Sequence, residues 1–268
     1  MTGDRWTGLV TRVLAPNPGP MTLDGTNSLV IAPAGRGGVV VVDPGPADDA
    51  HLDRLAAFGD VELILITHHH HDHTEGIDGL VARTGAPVRA RQADLCRDAE
   101  PLADGETIRI GDAEIRVIAT PGHTADSVCF LVAGDGVVGG PQEGAVITGD
   151  TILGRGTTVI IPPDGSLGDY LTSLRTLAAL GSLPVLPAHG PMLDDLGAVC
   201  AQYLAHRQGR LGLVRAALAS LGKAPADDPA LISAVVDRVY TGIDPAVRFA
   251  AEASTRAQLI HLADEQAG

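Results

Sequence analysis

A chain of 268 residues with 45% hydrophobic and 19% charged residues has an ordinary globular balance, long enough for one large domain or for one domain with a small appendage. Its formal charge of −14 excludes a general electrostatic pull toward nucleic acid or anionic membrane, so only a local basic patch could supply one. The start, MTGDRWTGLVTRVL, has no apolar signal core, no run nears the roughly 20 apolar residues that span a bilayer, and Cys96, Cys129 and Cys200 are widely spaced without a CxxC, which together favour reduced thiols and a cytoplasmic location with no membrane partner.

Short β-rich runs dominate the first part of the chain. TGLVTRVL, NSLVIA and GGVVVVD come first. A helical pattern over ADDAHLDRLAAF, a strand over VELILIT and a helical pattern over GIDGLVART follow. ETIRIGD, AEIRVIAT, SVCFLVA and GAVITGD then read as strands, some alternating and half-buried, others continuous and fully buried. The stretch SLGDYLTSLRTLAAL predicts a helix: Ser166 and Asp169 stand at capping-box spacing, and Leu171, Leu174, Leu177 and Leu180 share one stripe. A last strand, LPVLPAH, closes this part. Strands and helices mix throughout, which implies a layered α/β domain with sheet at its centre.

The texture turns helical near residue 193. LDDLGAVCAQYLAHRQGRLGLVRAALASLGK reads as helix, and two further helices begin at Asp228-Pro229 and Asp244-Pro245, a favourable helix start. The expected division is 1–193 for the α/β domain and 194–268 for a small helical region. Apolar positions in that tail could serve a core or a homodimer contact, so the oligomeric state stays open.

Five of the ten histidines fall between positions 68 and 73, within LILITHHHHDHTEGI. An engineered tag does not fit an internal run that follows an apolar strand and leads into a helical pattern. A structural cluster does not fit either, since imidazole and carboxylate groups are costly to bury without partners. The end of a strand is a common place for a site on a rigid scaffold. In extended backbone, residues i and i+2 point to the same side, so His68 and His70 could share an ion. His69, His71 and His73 satisfy the same spacing, and spacing alone leaves the register open.

The stretch resembles H-x-H-x-D-H, the signature of the metallo-β-lactamase fold hydrolases. His68, His70, Asp72 and His73 take its fixed positions, with His69 and His71 in the free ones. Three later stretches resemble the family's remaining motifs in order: ATPGHTADS with His123, VITGDTILG with Asp150, and LPAHGP with His189. The resemblance covers about residues 20–195 and implies an αββα sandwich. It further implies that His68, His70 and His123 hold one divalent ion, that Asp72, His73 and His189 hold a second, and that Asp150 bridges the two. Imidazole and carboxylate donors suit zinc, and also iron, manganese or nickel; the set is too large for one tetrahedral ion. Two Zn2+ ions, with Mn2+ or Fe2+ as alternatives, could hold a shared water as hydroxide near neutral pH, with Asp72 as the catalytic residue that orients it. Asp43, in VVVDPGP, matches the family's aspartate that supports the site, or is an ordinary turn aspartate. Cys129 is expected in the core, and His51 and His261 on the surface.

The bridging aspartate resembles the thioesterase, lactonase and phosphodiesterase branches rather than the zinc β-lactamases, which place Cys or Ser there. True β-lactamase activity is therefore not expected. PNPGPMTLDGTNSLVI ahead of VVDPGP, and YLAHRQGR with Tyr203, His206, Arg207 and Arg210, resemble the β-lactamase-like protein 2 group and its winged-helix-like tail. That group implies cleavage of single-stranded RNA, with His206, Arg207 and Arg210 as substrate-binding residues. The net charge and only 3% aromatic residues resist the RNA reading, since single strands stack on aromatic platforms. A glyoxalase II-like hydrolase of a small-molecule thioester, ester or lactone is the alternative. A non-catalytic metal-binding module is the third reading.

Overall fold

The structure, a computed structural model, describes residues 3–33, 37–136, 144–242, 244 and 248–267. Side-chain alternation along the strands decides the layering. In β4 (Val39–Val42), Val40 and Val42 pack between two sheets, while Val39 and Val41 pack outward against helices. The same parity holds in β9 (Val128–Ala133), where Val128, Phe130 and Val132 face inward and Cys129 outward. A strand buried on both faces needs no polar positions, which is why these runs read as continuous apolar segments.

The first sheet runs β1-β2-β3-β4-β5-β6, with β1 (Asp4–Arg5), β2 (Val10–Leu14), β3 (Asn27–Ile31), β5 (Val61–Leu65) and β6 (Val88–Arg89) around β4. The second runs β11-β10-β9-β8-β7, with β7 (Thr107–Ile110), β8 (Ala113–Ala119), β10 (Ala145–Gly149) and β11 (Val185–Pro187). Helices α1 (Asp49–Ala56) and α3 (Ile77–Thr84) cover the outer face of the first sheet through Leu52, Leu55, Ile77 and Leu80. The outer face of the second is covered by α4 (Leu167–Ala178), backed by α5 (Leu196–Leu221), α6 (Pro229–Val239) and α7 (Arg248–Ala267). The result is the four-layer αββα arrangement with C-terminal helices; among the described residues no strand follows β11.

The expected caps are present. Ser166 Oγ accepts from Asp169 N at 3.3 Å, and Asp228 Oδ1 accepts from Ala230 N and Leu231 N. The Asp244-Pro245 helix start falls partly outside the described residues, and the described helix begins at Arg248. His51 is not on the surface: it is fully buried, with Nε2 2.9 Å from Ser28 Oγ and Nδ1 3.0 Å from an Arg54 nitrogen. The first turns of α1 lie inward against β3, and burial, then Arg54, pushes the ring down to about 4, so it stays neutral. His261 is partly buried on α7 rather than exposed.

Candidate metal centre

One rim of the sandwich collects the sequence motifs. β4 runs parallel to β5 and β10 parallel to β11, while β9 is antiparallel to both β8 and β10, so β8 and β10 share a direction. The loops leaving β4, β5, β8, β10 and β11 carry Asp43, the histidine run, His123, Asp150 and His189 respectively.

Local backbone sets which side each residue of the histidine run faces. His70 is extended, with φ −60° and ψ 145°, and the next residues form the single turn α2 (His71–Thr74). The extended part sends His68 and His70 to one side, and the turn folds Asp72 and His73 back toward them. His69 is diverted to Asp126, with Nδ1 2.8 Å from its Oδ1, and His71 is exposed.

Two clusters result. His68 Nε2 and His123 Nε2 lie 3.0 and 3.1 Å from His70 Nδ1. In the second cluster, Asp72 Oδ2 is 3.4 Å from His73 Nε2 and 3.1 Å from His189 Nε2. Asp150 reaches both. Its Oδ1 is 3.3 Å from His189 Nε2 and 3.6 Å from His73 Nε2, and its Oδ2 is 3.7 Å from His123 Nε2. His68–His70–His123 and Asp72–His73–His189 can each hold a metal ion by the spacing of their donor atoms.

Second nitrogens fix the rings. His73 Nδ1 donates to Asp43 at 2.8 Å, His123 Nδ1 to the Val159 carbonyl at 2.9 Å, and His189 Nδ1 to the Gly25 carbonyl at 3.2 Å. His68 Nδ1 lies 3.1 Å from Thr67 Oγ1, which itself donates to Asp43 at 2.7 Å. Each bond commits one nitrogen as donor and leaves Nε2 aimed inward, where it offers a lone pair to a cation whenever the ring is neutral. Among the described residues, His73 Nε2, His189 Nε2 and Asp150 Oδ1 are buried without a hydrogen-bond partner. Convergent lone pairs and orphaned acceptors fit a cation, and the nitrogen and oxygen donors suit a divalent one.

The titration behaviour divides along the same line. Burial, then the neighbouring rings, holds His68 well below the ordinary histidine range and His70 down at about 4, so both stay neutral. Burial opposes charge on His73 and His189 too, but carboxylates outweigh it. Asp43, Asp72 and Asp150 hold His73 well above the usual range, and Asp150 and Asp72 raise His189. Burial would raise Asp72, yet His189 and His73 overcome it and keep the carboxylate ionised.

Asp43 supports the site rather than merely turning the chain. It is buried at a left-handed φ of 52°, and its carboxylate accepts from Thr67 N, Thr67 Oγ1 and His73. Several contributors lie outside the four metal motifs. Thr26 Oγ1 lies 3.3 Å from Asp72, and Thr158 Oγ1 donates to the Asp150 carbonyl at 2.6 Å. Tyr203 receives from Leu153 N at 3.2 Å and donates to the Gly156 carbonyl at 3.0 Å.

The expected substrate-binding residues divide. Arg207 is buried, donates to the Thr158 carbonyl and stacks 5.0 Å from the Tyr170 ring, so it braces the loop beside Asp150 instead of facing solvent beside the metal cluster. His206 is exposed, and Arg210 is partly exposed with its guanidinium 4.8 Å from the Tyr240 ring. Cys129 lies fully buried in the core, its thiol pushed up to about 11 by burial.

Comparison with known proteins gives the family and the fold. The family model described as the metallo-beta-lactamase superfamily matches residues 21–189. A lactamase-like protein, nscB, of Trichophyton rubrum is 35% identical over 217 residues, covering 78% of this chain and 62% of that protein, so the chain spans less than two thirds of this relative's length. The solved structure of a metallo-beta-lactamase family protein from Thermus thermophilus is similar with a TM-score of 0.72 and 23% identity, covering 96% of this chain and 94% of that one. A second structure, solved in a di-iron-bound form, matches with a TM-score of 0.55 and 24% identity over 72% of this chain and 97% of that one. At such identities the two structures speak to the fold alone.

Proposed function

The chain belongs to the metallo-beta-lactamase superfamily, and from that premise we propose that it is a dinuclear metal hydrolase of a small-molecule thioester, ester or lactone. The observation that carries the reading is the position of Asp150, whose two oxygens face different histidine clusters. His68, His70 and His123 would hold one ion and Asp72, His73 and His189 the other, with Asp150 shared. Zinc suits this donor set, and iron is the alternative that imidazole and carboxylate donors also hold. When bound, such ions supply Lewis acidity, which makes water acidic near neutral pH and polarises an electrophilic carbonyl.

The chain's own residues orient the reactants. Asp72 stays ionised and can accept a hydrogen bond from water and align it, steadied by Thr26. Beside the clusters lies a cavity of about 500 Å³ lined by His69, Arg91, Gln92, Ala125, Asp126 and Asp164. Asp126 and Asp164 both approach His69, at 2.8 and 3.8 Å. With two carboxylates against one arginine, Arg91, this cavity offers a polyanion no net attraction, which favours a neutral acyl group. Single-stranded RNA is the second reading, favoured by His206 and Arg210 on α5.

The test offers metal-quantified protein an acyl thioester panel and end-labelled single-stranded RNA, with Asp72→Asn in parallel. Thioester turnover by the parent, lost in the variant, with intact RNA, is the expected result. RNA cleavage lost in the variant would install the second reading. No turnover on any substrate at full metal occupancy would leave a non-catalytic metal module.

A further inference from the structure

A second pocket, of about 240 Å³, lies between α5, α7 and the loop at Thr157–Val159. His206, Arg207 and Arg210 line it from α5, and Ser254 and Gln258 from α7. Among the described residues no carboxylate lines it, although the chain carries a formal charge of −14. Arg207 is only 4% exposed and Gln258 2%. Among the described residues, Arg207 Nε and Gln258 Oε1 are buried without a hydrogen-bond partner.

A brace for the loop would account for Arg207 alone, through its bond to Thr158 and its stacking on Tyr170. It does not account for two more basic side chains on the same wall. Nor does it account for Arg207 Nε, a buried donor left without an acceptor among the described residues, which buried sites normally avoid. The guanidiniums of Arg207 and Arg210 lie 5.0 and 4.8 Å from the Tyr170 and Tyr240 ring centres, contacts that hold both side chains at the pocket, where a guanidinium can donate to a tetrahedral oxyanion.

We propose that this pocket binds a phosphoryl group, either free phosphate or the phosphomonoester end of a small molecule. Two guanidiniums without a carboxylate match a doubly charged oxyanion better than a single carboxylate, and His206, which desolvation and the two arginines hold toward its neutral form, adds a hydrogen-bond donor. The occupant would bear on the metal cluster through the pocket's own loop. Thr158 Oγ1 donates to the Asp150 carbonyl, and the Val159 carbonyl accepts from His123. The proposal does not rest on the hydrolase reading, and either can fail while the other stands.

The test is isothermal titration of the metal-loaded full chain with inorganic phosphate and, separately, methyl phosphate. The variants are a His206→Asn/Arg210→Gln double substitution, Ser254→Glu, which places a carboxylate in the pocket, and Asp72→Asn. Circular dichroism checks their folding. The expected result is an affinity loss of at least about tenfold in the double variant and in Ser254→Glu, with Asp72→Asn unchanged. Tighter binding of methyl phosphate identifies a phosphomonoester, and equal or weaker binding identifies free phosphate. Binding that is equal in the parent and both pocket variants, binding lost only in Asp72→Asn, or no binding at all overturns the proposal.

Discussion

Asp43 shows how one residue can organise a site it does not directly join. A non-glycine residue at φ 52° is strained by roughly 1–3 kcal/mol, and the three hydrogen bonds its carboxylate accepts offset that cost. Asp43→Asn should weaken metal binding at the Asp72–His73–His189 group about 10–100-fold, with a smaller effect at His68–His70–His123. A chelator competition measures this, and unchanged affinity would return Asp43 to an ordinary turn role. Gly149 has φ 50°, and a Cβ there would lie 2.7 Å from Thr67 Oγ1. Gly149→Ala should therefore cost roughly 1–3 kcal/mol in denaturant unfolding; no loss would mean the loop yields freely.

Protons separate the two clusters. His68 and His70 have lowered proton affinity, so their lone pairs stay available well below neutral pH. His73 and His189 have raised affinity, so protons compete there with metal at higher pH. On acidification the Asp72–His73–His189 group should release its ion first, read by metal retained after dialysis across a pH series in the parent and in Asp72→Asn. Simultaneous loss of both ions would contradict the division. This split was not legible in the sequence, where the five histidines look alike; it comes from Asp43 and Asp150, brought in by other strands.

At the scale of elements, strands and helices with a clear period were legible, and those without one were not. The alternating or continuous apolar runs of β2 to β5 and β7 to β11 announce themselves, as does the capped leucine stripe of α4. β1, β6 and α2 have two to four residues, too few for any period to show, yet α2 is what folds His73 into the site. The four metal motifs could be read from resemblance because each is a short local signature. Thr26 and Thr158 could not, because they act across tertiary contacts, and Tyr203 stands out in the sequence only as part of YLAHRQGR, with no sign of the loop it braces. Tyr203 sits on α5 and secures the loop after Asp150 from 50 residues away. Tyr203→Phe should cost about 1 kcal/mol of stability and lower turnover more than substrate affinity. An unchanged melting curve and turnover would detach α5 from the site.

Across the whole molecule, the C-terminal helices share a core with the second sheet. Val146 of β10, Leu174 of α4, Cys200 and Val214 of α5, and Leu259 of α7 belong to one buried cluster. Truncation after residue 193 would remove α5, α6 and α7 from this shared core and expose the apolar side chains they cover, and the fragment should aggregate. A monomeric fragment with native circular dichroism would show that 1–193 stands alone. Among the described residues no helix is long and apolar enough to cross a membrane. The acidity of the chain, the carboxylates beside the metal cluster and the sequestered Arg207 all weigh toward a small neutral substrate over a nucleic acid. The central claim is that Asp150 is shared by two ions. The most direct test reconstitutes the protein with excess Zn2+, removes unbound metal and counts ions per chain by mass spectrometry beside Asp150→Asn. Two ions in the parent, with at least one lost in the variant, is the predicted result; a parent that holds one ion, or a variant that keeps two with full turnover, would contradict it.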